Sequence, residues 1–343
     1  MVPRMTTVPT VSVCMPVSRD ANVVRRALSS VLAQDLEDFE VLIGDETGAA
    51  EPAVTEAGDL RVQYYRNPTR LGFSRNHGTL LDRASGRYMA VLHDDDWWEP
   101  NYLSSLVAVL NAEPDVGMAF SATLIDDSSV GTSRWPVPLD EGRHDNVVGV
   151  LLLREWFLLP ISTMWRGELW TGPARLWPDL CCGDLQLFLS IADAGWSMYF
   201  LPEPLAHWVQ HTGQSGAWRG SDNGLGVATD VLAFWDRWLE GRPEAQVSLA
   251  NRQRARWHLR QARALLLSGR TSEARAAIGR AATIARALKL GRHELPGIRQ
   301  LSVASHLPAP VVRAGVGLKR MALEGSVGRQ IKQNSSLRSV RAG

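Results

Sequence analysis

The chain has 343 residues, room for one large domain and a smaller appendage, and its 45% hydrophobic content is ordinary for a globular protein. No run of about 18 uncharged apolar residues occurs, so no membrane-spanning helix is expected; three cysteines in this length argue against a disulfide framework. The net charge of +1 conceals a split: residues 1–249 carry 18 Lys and Arg against 33 Asp and Glu, net −15, whereas residues 250–343 carry 19 against 3, net +16.

In chain order, residues 1–10 lack the long apolar core of a signal peptide, so a cytoplasmic protein is expected. The stretch 11–17 alternates and reads as a buried strand running into a loop at Pro16. From Asp20, an N-cap candidate, apolar residues recur at Val23, Val24, Ala27, Leu28, Val31 and Leu32, the spacing of a helix with one buried face. Residues 39–43 form a second apolar strand that ends in Gly44-Asp45-Glu46-Thr47-Gly48. Strand, helix, strand implies a parallel pair joined by a right-handed crossover. A third strand is predicted over 61–65, then Arg66-Asn67-Pro68, Leu71-Gly72-Phe73-Ser74-Arg75-Asn76 and a helix ending near Gly86.

The most informative stretch follows. The apolar run 89–92 reads as a buried strand that stops at three consecutive carboxylates, Asp94, Asp95 and Asp96. Like charges side by side are unfavourable unless water or a cation compensates them. Mg²⁺ or Mn²⁺ suits such a group, since it takes oxygen ligands and keeps phosphates and waters in its shell. Strand ends of an open α/β sheet are also where ligands bind. The alternative is a solvated acidic turn.

Taken together, these elements resemble a family 2 glycosyltransferase of the GT-A fold. The resemblance covers residues 10–125. It rests on the Pro16-Val17-Ser18 strand end, the strand closed by Asp45-Glu46, the Arg66-Asn67-Pro68 … Leu71-Gly72 … Arg75-Asn76 … Gly78 segment, and the acidic triplet followed by Trp97 and Pro100. It implies an α/β fold in which residues 1–125 form a Rossmann-like nucleotide-binding sheet and 126–224 an acceptor-binding half. A helical extension over 225–295 and a basic tail over 296–343 would follow. By the same resemblance, Pro16, Ser18 and Arg75 lie beside the nucleotide, Asp45 hydrogen-bonds its base, Asp94 sits near the ribose, and Asp95 holds Mn²⁺ or Mg²⁺ across the two phosphates. An ionised Asp only accepts, so Asp45 could read the ring N–H of uracil, thymine or guanine but not cytosine; the alternative is an Asp that caps a turn. The commoner pattern has an acid where this chain has His93, which is expected to be a strand-end residue of no special chemistry.

The middle of the chain is harder to divide into elements and is rich in Trp, at 135, 156, 165, 170, 177, 196, 208 and 218. An indole has a broad apolar face and one donor, suited to a sugar ring, but most of these read as core. Gly183-Asp184 precedes Leu185, Phe188, Leu189 and Ala192, a helical stripe. This resembles the family's acid-Asp pair opening a helix below the acceptor, with Gly183 in place of the first acid. Asp184 would then be the general base. The alternative is an N-cap, and helix amides and the dipole would lower its pKa and make it a poorer base. The run 201–211 resembles the family's Pro-Glu-Pro-Leu turn followed by an aromatic, an Arg and a His. His211 matches the His and could complete the metal shell, Val209 replaces the Arg, and His207 reads as structural.

The implied chemistry is metal-dependent inverting transfer from a nucleotide sugar, a UDP-sugar first, to a hydroxyl of a glycan, lipid-linked or small-molecule acceptor. Nucleic acid is not an expected partner. A binding protein without turnover and a nucleotidyltransferase are the alternatives. The latter needs a Gly-rich phosphate loop after the first strand, which Pro16-Val17-Ser18-Arg19-Asp20 is not. Beyond residue 225 the pattern turns helical. Val227, Val231, Leu232, Phe234, Trp235 and Trp238 form one stripe, and 252–290 reads as two helices joined at Ser268-Gly269-Arg270, a single hairpin expected to cap the catalytic domain. From Arg313 the basic tail is expected to dock on an anionic membrane surface or fold onto the acidic half.

Overall fold

Alternating strands and helices in the first two hundred residues build one mixed sheet. The computed structural model describes residues 8–18, 21–145, 147–153, 157–171, 183–210, 224–290, 295 and 297–307. The chain forms two compact units, Met1–Thr212 and Gly213–Gly343.

The first unit opens with β1 (Val11–Val17), α1 (Ala21–Leu32), β2 (Phe39–Asp45), α2 (Glu51–Ala57), β3 (Val62–Arg66), α3 (Phe73–Leu81) and β4 (Tyr88–Val91). It continues with β5 (Trp97–Trp98), α4 (Tyr102–Ala112), β6 (Val116–Asp127), β7 (Gly131–Arg134) and β8 (Gly142–His144). α5 (Val148–Leu153), β9 (Thr163–Arg166), α6 (Gly183–Asp193) and β10 (Ser197–Gln210) complete it. The ten-stranded sheet has the order β3-β2-β1-β4-β9-β6-β10-β5, with β7 on β6 and β8 on β10.

The expected parallel pair is present, with Val11 opposite Phe39 and Val17 opposite Asp45. β2 is buried along its whole length, as befits a parallel strand covered on both faces. α1 buries Val24, Ala27, Leu28 and Val31 against β1 and β2, the stripe its spacing predicts. Asp20, the N-cap candidate, lies outside the described residues. α2 has no counterpart in the sequence reading; Pro52 opens it and Gly58, at φ 55°, closes it. α4 is held at its start by Gln34, whose Oε1 accepts the Leu103 amide at 2.9 Å.

One expectation is corrected here. The Pro202-Glu203-Pro204 run is not a turn: it lies inside β10, where register shifts between Leu201 and Ala206 leave the prolines at a bulge. A proline cannot donate to the ladder, and a bulge is where a strand accommodates it.

The second unit contains α7 (Leu225–Trp238), α8 (Glu244–Leu267), α9 (Thr271–Ala287) and α10 (Ile298–Ala304). α8 and α9 form the expected hairpin, turning at Gly269 with φ 78°. It packs Ala262, Leu265 and Leu266 against Ala274, Ala277 and Ile278. Buried His258 accepts a bond from Arg280 at 3.4 Å. Burial and the Arg280 and Arg254 charges push it down to about 4, so it stays neutral at pH 7. No described helix is long and apolar enough to cross a membrane. The basic region from Arg313 onward, expected to dock on a surface, lies outside the described residues.

Candidate active site

Strand directions decide which residues meet. β1 runs parallel to β2 and β4, β6 runs parallel to β10, and β9 is antiparallel to both β4 and β6. The strands β1, β2, β4, β6 and β10 therefore all end at one edge, which gathers Ser18, Asp45, the acidic triplet, Asp126 and Val209.

The triplet is a turn with three different environments. The Asp96 amide donates to the His93 carbonyl at 3.3 Å, so Asp94 and Asp95 are the two corners and His93 and Asp96 the base. All three carboxylates are buried, at 4%, 5% and 1% exposure, which argues against the alternative of a solvated acidic turn. Burial is tolerated because donors of the protein itself meet the turn. Asp94 accepts the Ser18 amide at 2.8 Å, Asp96 accepts the Val209 amide at 2.9 Å, and Arg26 donates to the Asp95 carbonyl at 2.8 Å. Two residues expected to flank the nucleotide, Ser18 and Asp94, are thus in direct contact, and Pro16 precedes them at the end of β1 opposite Gly44.

Asp45 is placed differently from its expected role. It is fully buried, and its carboxylate accepts from the amides of Thr47, Gly48 and Ala50 at 2.8 Å and from the hydroxyls of Thr47 and Tyr64 at 3.1 Å. Burial works against the charge, but these amides and the Tyr64 hydroxyl hold the carboxyl below its usual range. These donors all come from the protein itself, which is the pattern of a turn cap. Asp45 is the turn cap, the alternative reading of that residue, and it shapes the loop between β2 and α2.

Glu46, next to it, accepts the Leu71 and Gly72 amides at 2.8 and 2.7 Å and draws the start of α3 to the same edge. Asn76 bridges Asn67 and the Gly44 carbonyl, both at 2.9 Å. Only a glycine fits at 44, where a Cβ would lie 2.5 Å from the Asn76 side-chain oxygen. This places α3, with Arg75 exposed on it, against the β2 end.

Asp184 stands one residue inside α6, which starts at Gly183, and its Oδ1 accepts the Leu185 amide at 2.8 Å. The expected lowering by the helix start is overruled. Burial pushes the carboxyl up to about 6, while the Leu185 amide and the His93 charge pull it partly back. A carboxylate titrating near neutrality is a better base than an ordinary Asp.

His93 is likewise not the featureless strand-end residue expected. Its Nδ1 lies 3.5 Å from Asp96 Oδ2, and its ring meets His77 of α3 edge-on at 5.5 Å. Burial disfavours the imidazolium, but the carboxylates of Asp96, Asp95 and Asp94 overcome this and hold His93 above its ordinary value.

Sequence reasoning also missed a cluster beside the triplet. His207 bridges Asp126 and Glu99, each at 3.0 Å, and stacks on Trp97 at 3.5 Å with the planes 18° apart. Trp97 in turn donates to Asp126 at 3.2 Å. Only the pairing of β5 with β10, which sets His207 opposite Trp97, brings these together. Of the tryptophans in the middle of the chain, Trp165 and Trp170 are core, and Trp135 meets Trp208 edge-on at 5.4 Å.

Does the edge suit a divalent cation? Among the described residues no group of three or more His, Cys, Asp or Glu side chains converges on a metal position. Mg²⁺ and Mn²⁺ sites that lean on substrate phosphates need only one or two carboxylates. Asp94 and Asp95 on the turn corners fit that demand. His211 lies outside the described residues, as do Cys181 and Cys182.

The profile of Glycosyl transferase family 2 matches residues 12–154. Among curated relatives, WcaA of Escherichia coli K12, named as a glycosyl transferase of colanic acid biosynthesis, is 32% identical over 29% of this chain and 37% of its own length. The chain spans about two fifths of the length of WcaA and of an uncharacterized Mycobacterium tuberculosis relative. Among solved structures, Staphylococcus aureus TarS 1–349 superposes with a TM-score of 0.61 at 13% identity, over 90% of this chain and 91% of that one. The mannosyltransferase PcManGT of Pyrobaculum calidifontis, in complex with GDP-Man and Mn²⁺, gives 0.54 at 20% identity, over 91% and 88%. Residues 12–154 are thus similar to a family 2 glycosyltransferase domain, and the sheet built around them shares the GT-A fold of these solved structures.

Proposed function

We propose that this protein is a metal-dependent, inverting glycosyltransferase that moves a sugar from a nucleoside-diphosphate donor to an acceptor hydroxyl. The observation that carries this reading is the presence of two acidic groups in unlike environments. One is a carboxylate turn tied to the β1 end through Ser18; the other is a half-buried Asp184 with its pKa pushed up to about 6. Separation of carboxyl environments in this way supports a cation-holding role for the one and a proton-accepting role for the other.

In this reading the nucleotide lies along Pro16, Ser18, the Asp45 loop, Arg75 and Asp94. Asp95 would hold Mn²⁺ or Mg²⁺, with His211 as the further ligand the resemblance implies, and the bound cation would supply charge neutralisation for the departing diphosphate. Asp184 takes the proton of the acceptor hydroxyl, which attacks the anomeric carbon from the face opposite the leaving group. That displacement inverts the configuration. General-base help of this kind is worth about 10²–10⁴-fold.

The donor is a UDP-sugar in the first instance. The TarS structures include one with UDP-GlcNAc and PcManGT holds GDP-Man, so both nucleotides belong in the test. A screen of nucleotide sugars for thermal stabilisation with and without Mn²⁺, followed by donor hydrolysis, decides the matter. Stabilisation that depends on Mn²⁺, with release of nucleoside diphosphate, supports the reading. Binding without any hydrolysis or transfer points to a nucleotide-sugar-binding protein. Release of inorganic diphosphate would indicate a nucleotidyltransferase and overturn the proposal.

A further inference from the structure

We propose that Arg26 of α1 is a positioning residue: by holding the Asp95 carbonyl, it fixes the corner of the acidic turn from which the Asp95 carboxylate meets the cation. The inference rests on Asp95 being the cation-holding residue.

Residues 26, 30 and 34 stand four apart, one row of a helix continued two residues past the end of α1. Each of them bonds the segment that leaves the acidic turn and enters α4. Arg26 donates through Nη2 to the Asp95 carbonyl at 2.8 Å. Ser30 Oγ accepts the Trp98 amide at 3.3 Å. Gln34 donates through Nε2 to the Glu99 carbonyl at 2.8 Å and accepts the Leu103 amide at 2.9 Å. Just beyond, the Asp35 amide donates to the Pro100 carbonyl at 2.9 Å. All of these partners are backbone groups, so the row sets the path of the chain from 95 to 103 independently of its side chains.

The Arg26 bond falls on the peptide that aims Asp95. In a turn closed by the Asp96 amide and the His93 carbonyl, the carbonyls of the two corner residues take no part in the closing bond. Rotation of the 95–96 peptide changes ψ of Asp95, and with it the direction of the carboxylate relative to the chain that follows. Ser18 and Val209 hold the flanking residues by their carboxylates. Arg26 holds Asp95 by its carbonyl instead, a grip that itself spends no carboxylate oxygen. Such a bond is charge-assisted and roughly twice as strong as one between neutral groups. Partners of this outer kind, which orient a ligand without touching the metal, typically matter about 10–100-fold.

The same helix supplies a control. Arg25, next in the chain, carries the same charge but pairs with Glu56 of α2 at 2.7 Å and with Asn22 at 3.1 Å. Arg26 itself is exposed, whereas Val24, Ala27, Leu28 and Val31 fill the core, so its replacement leaves α1 packed.

The experiment uses the full chain with Arg26→Met, Arg26→Lys and Arg25→Met. Three quantities are read: melting temperature, the Mn²⁺ concentration that half-saturates the gain in UDP and GDP affinity by calorimetry, and hydrogen exchange of the Asp96 amide in metal-free protein by NMR. Expected for Arg26→Met is a Mn²⁺ requirement raised about tenfold or more. The Asp96 amide should exchange about tenfold faster, while melting temperature and metal-free nucleotide affinity stay close to wild type. Arg26→Lys, which keeps a donor, should recover part of both effects, and Arg25→Met should show neither.

An unchanged Mn²⁺ requirement in Arg26→Met, whatever its melting temperature or exchange rate, would make Arg26 merely structural and overturn the inference. An equal shift in Arg25→Met would assign the effect to lost charge and overturn it too. Should nucleotide binding by the wild-type protein gain nothing from Mn²⁺, the metal-dependent function fails, yet exchange at Asp96 still decides whether Arg26 holds the turn.

Discussion

Replacing Asp184 by Asn separates a base from a helix-start residue by the sign of its effect on stability. Burial pushes this carboxyl from 3.8 up to about 6. At about 1.36 kcal/mol per pH unit, ionising it in the folded protein costs roughly 3 kcal/mol more than in the unfolded chain. Its partial solvent contact reduces this to about 1–3 kcal/mol. Between about pH 4 and pH 6 the folded protein binds the proton that the unfolded chain has released, so stability falls as pH rises through that window, and the loss persists above it. Asn carries no charge and still offers an oxygen to the Leu185 amide. The Asn variant should therefore match wild type near pH 4 and exceed it by about 1–3 kcal/mol at pH 7, several degrees in melting temperature. Turnover should fall by about 10²-fold or more. Denaturant melts across that pH range, paired with donor hydrolysis and transfer, measure both. A variant no more stable than wild type at pH 7, with near-normal turnover, refutes both the buried-charge argument and the base.

Asp95→Ala should remove the Mn²⁺-dependent part of nucleotide affinity, by more than about tenfold, while binding without metal survives; calorimetry with UDP and GDP tests this, and an unchanged Mn²⁺ effect would sink the metal assignment. His258, pushed down to about 4, stays neutral in the fold while the unfolded chain binds a proton from about pH 6.5 downward, so the hairpin should lose up to about 3 kcal/mol on acidification from 6.5 to 4. His258→Gln should flatten that limb in a melt followed by circular dichroism, and an identical acid limb would contradict the argument. Gly44→Ala should destabilise by about 1–3 kcal/mol, since the new methyl meets Asn76 at 2.5 Å and Leu80 at 3.1 Å; a neutral effect in denaturant unfolding would show that α3 yields. Cys14 is fully buried, and burial raises its thiol far above the ordinary value, so it should stay unmodified by iodoacetamide in the folded protein, as peptide mapping would show.

Local pattern determined much of this protein. The strands at 11–17 and 39–43, the helix between them, the break at the acidic triplet, the helix opening at 183 and the hairpin around Gly269 were all legible, because each has a period or a terminator of its own. Other elements hid. β6 is apolar over most of its twelve residues and shows no alternation, since it is covered on both faces. β10 carries two prolines that read as a turn until a bulge accommodates them.

The candidate site divides the same way. Sequence order alone picks out Ser18, Asp94 and Asp95 as strand-end residues and Asp184 as a helix-start residue. What those residues do there was decided by neighbours far along the chain. Asp45 caps the loop after β2 and also meets Tyr64 of β3, Asp96 is held by His93 and Val209, and His207 joins Glu99 to Asp126. Most telling is Asp184, whose local setting at a helix start argues for a lowered pKa, while tertiary burial raises it. Hydrogen-bond partners and desolvation depend on which surfaces the fold brings together, and a carboxylate's charge state is set by that enclosure rather than by its place in the chain.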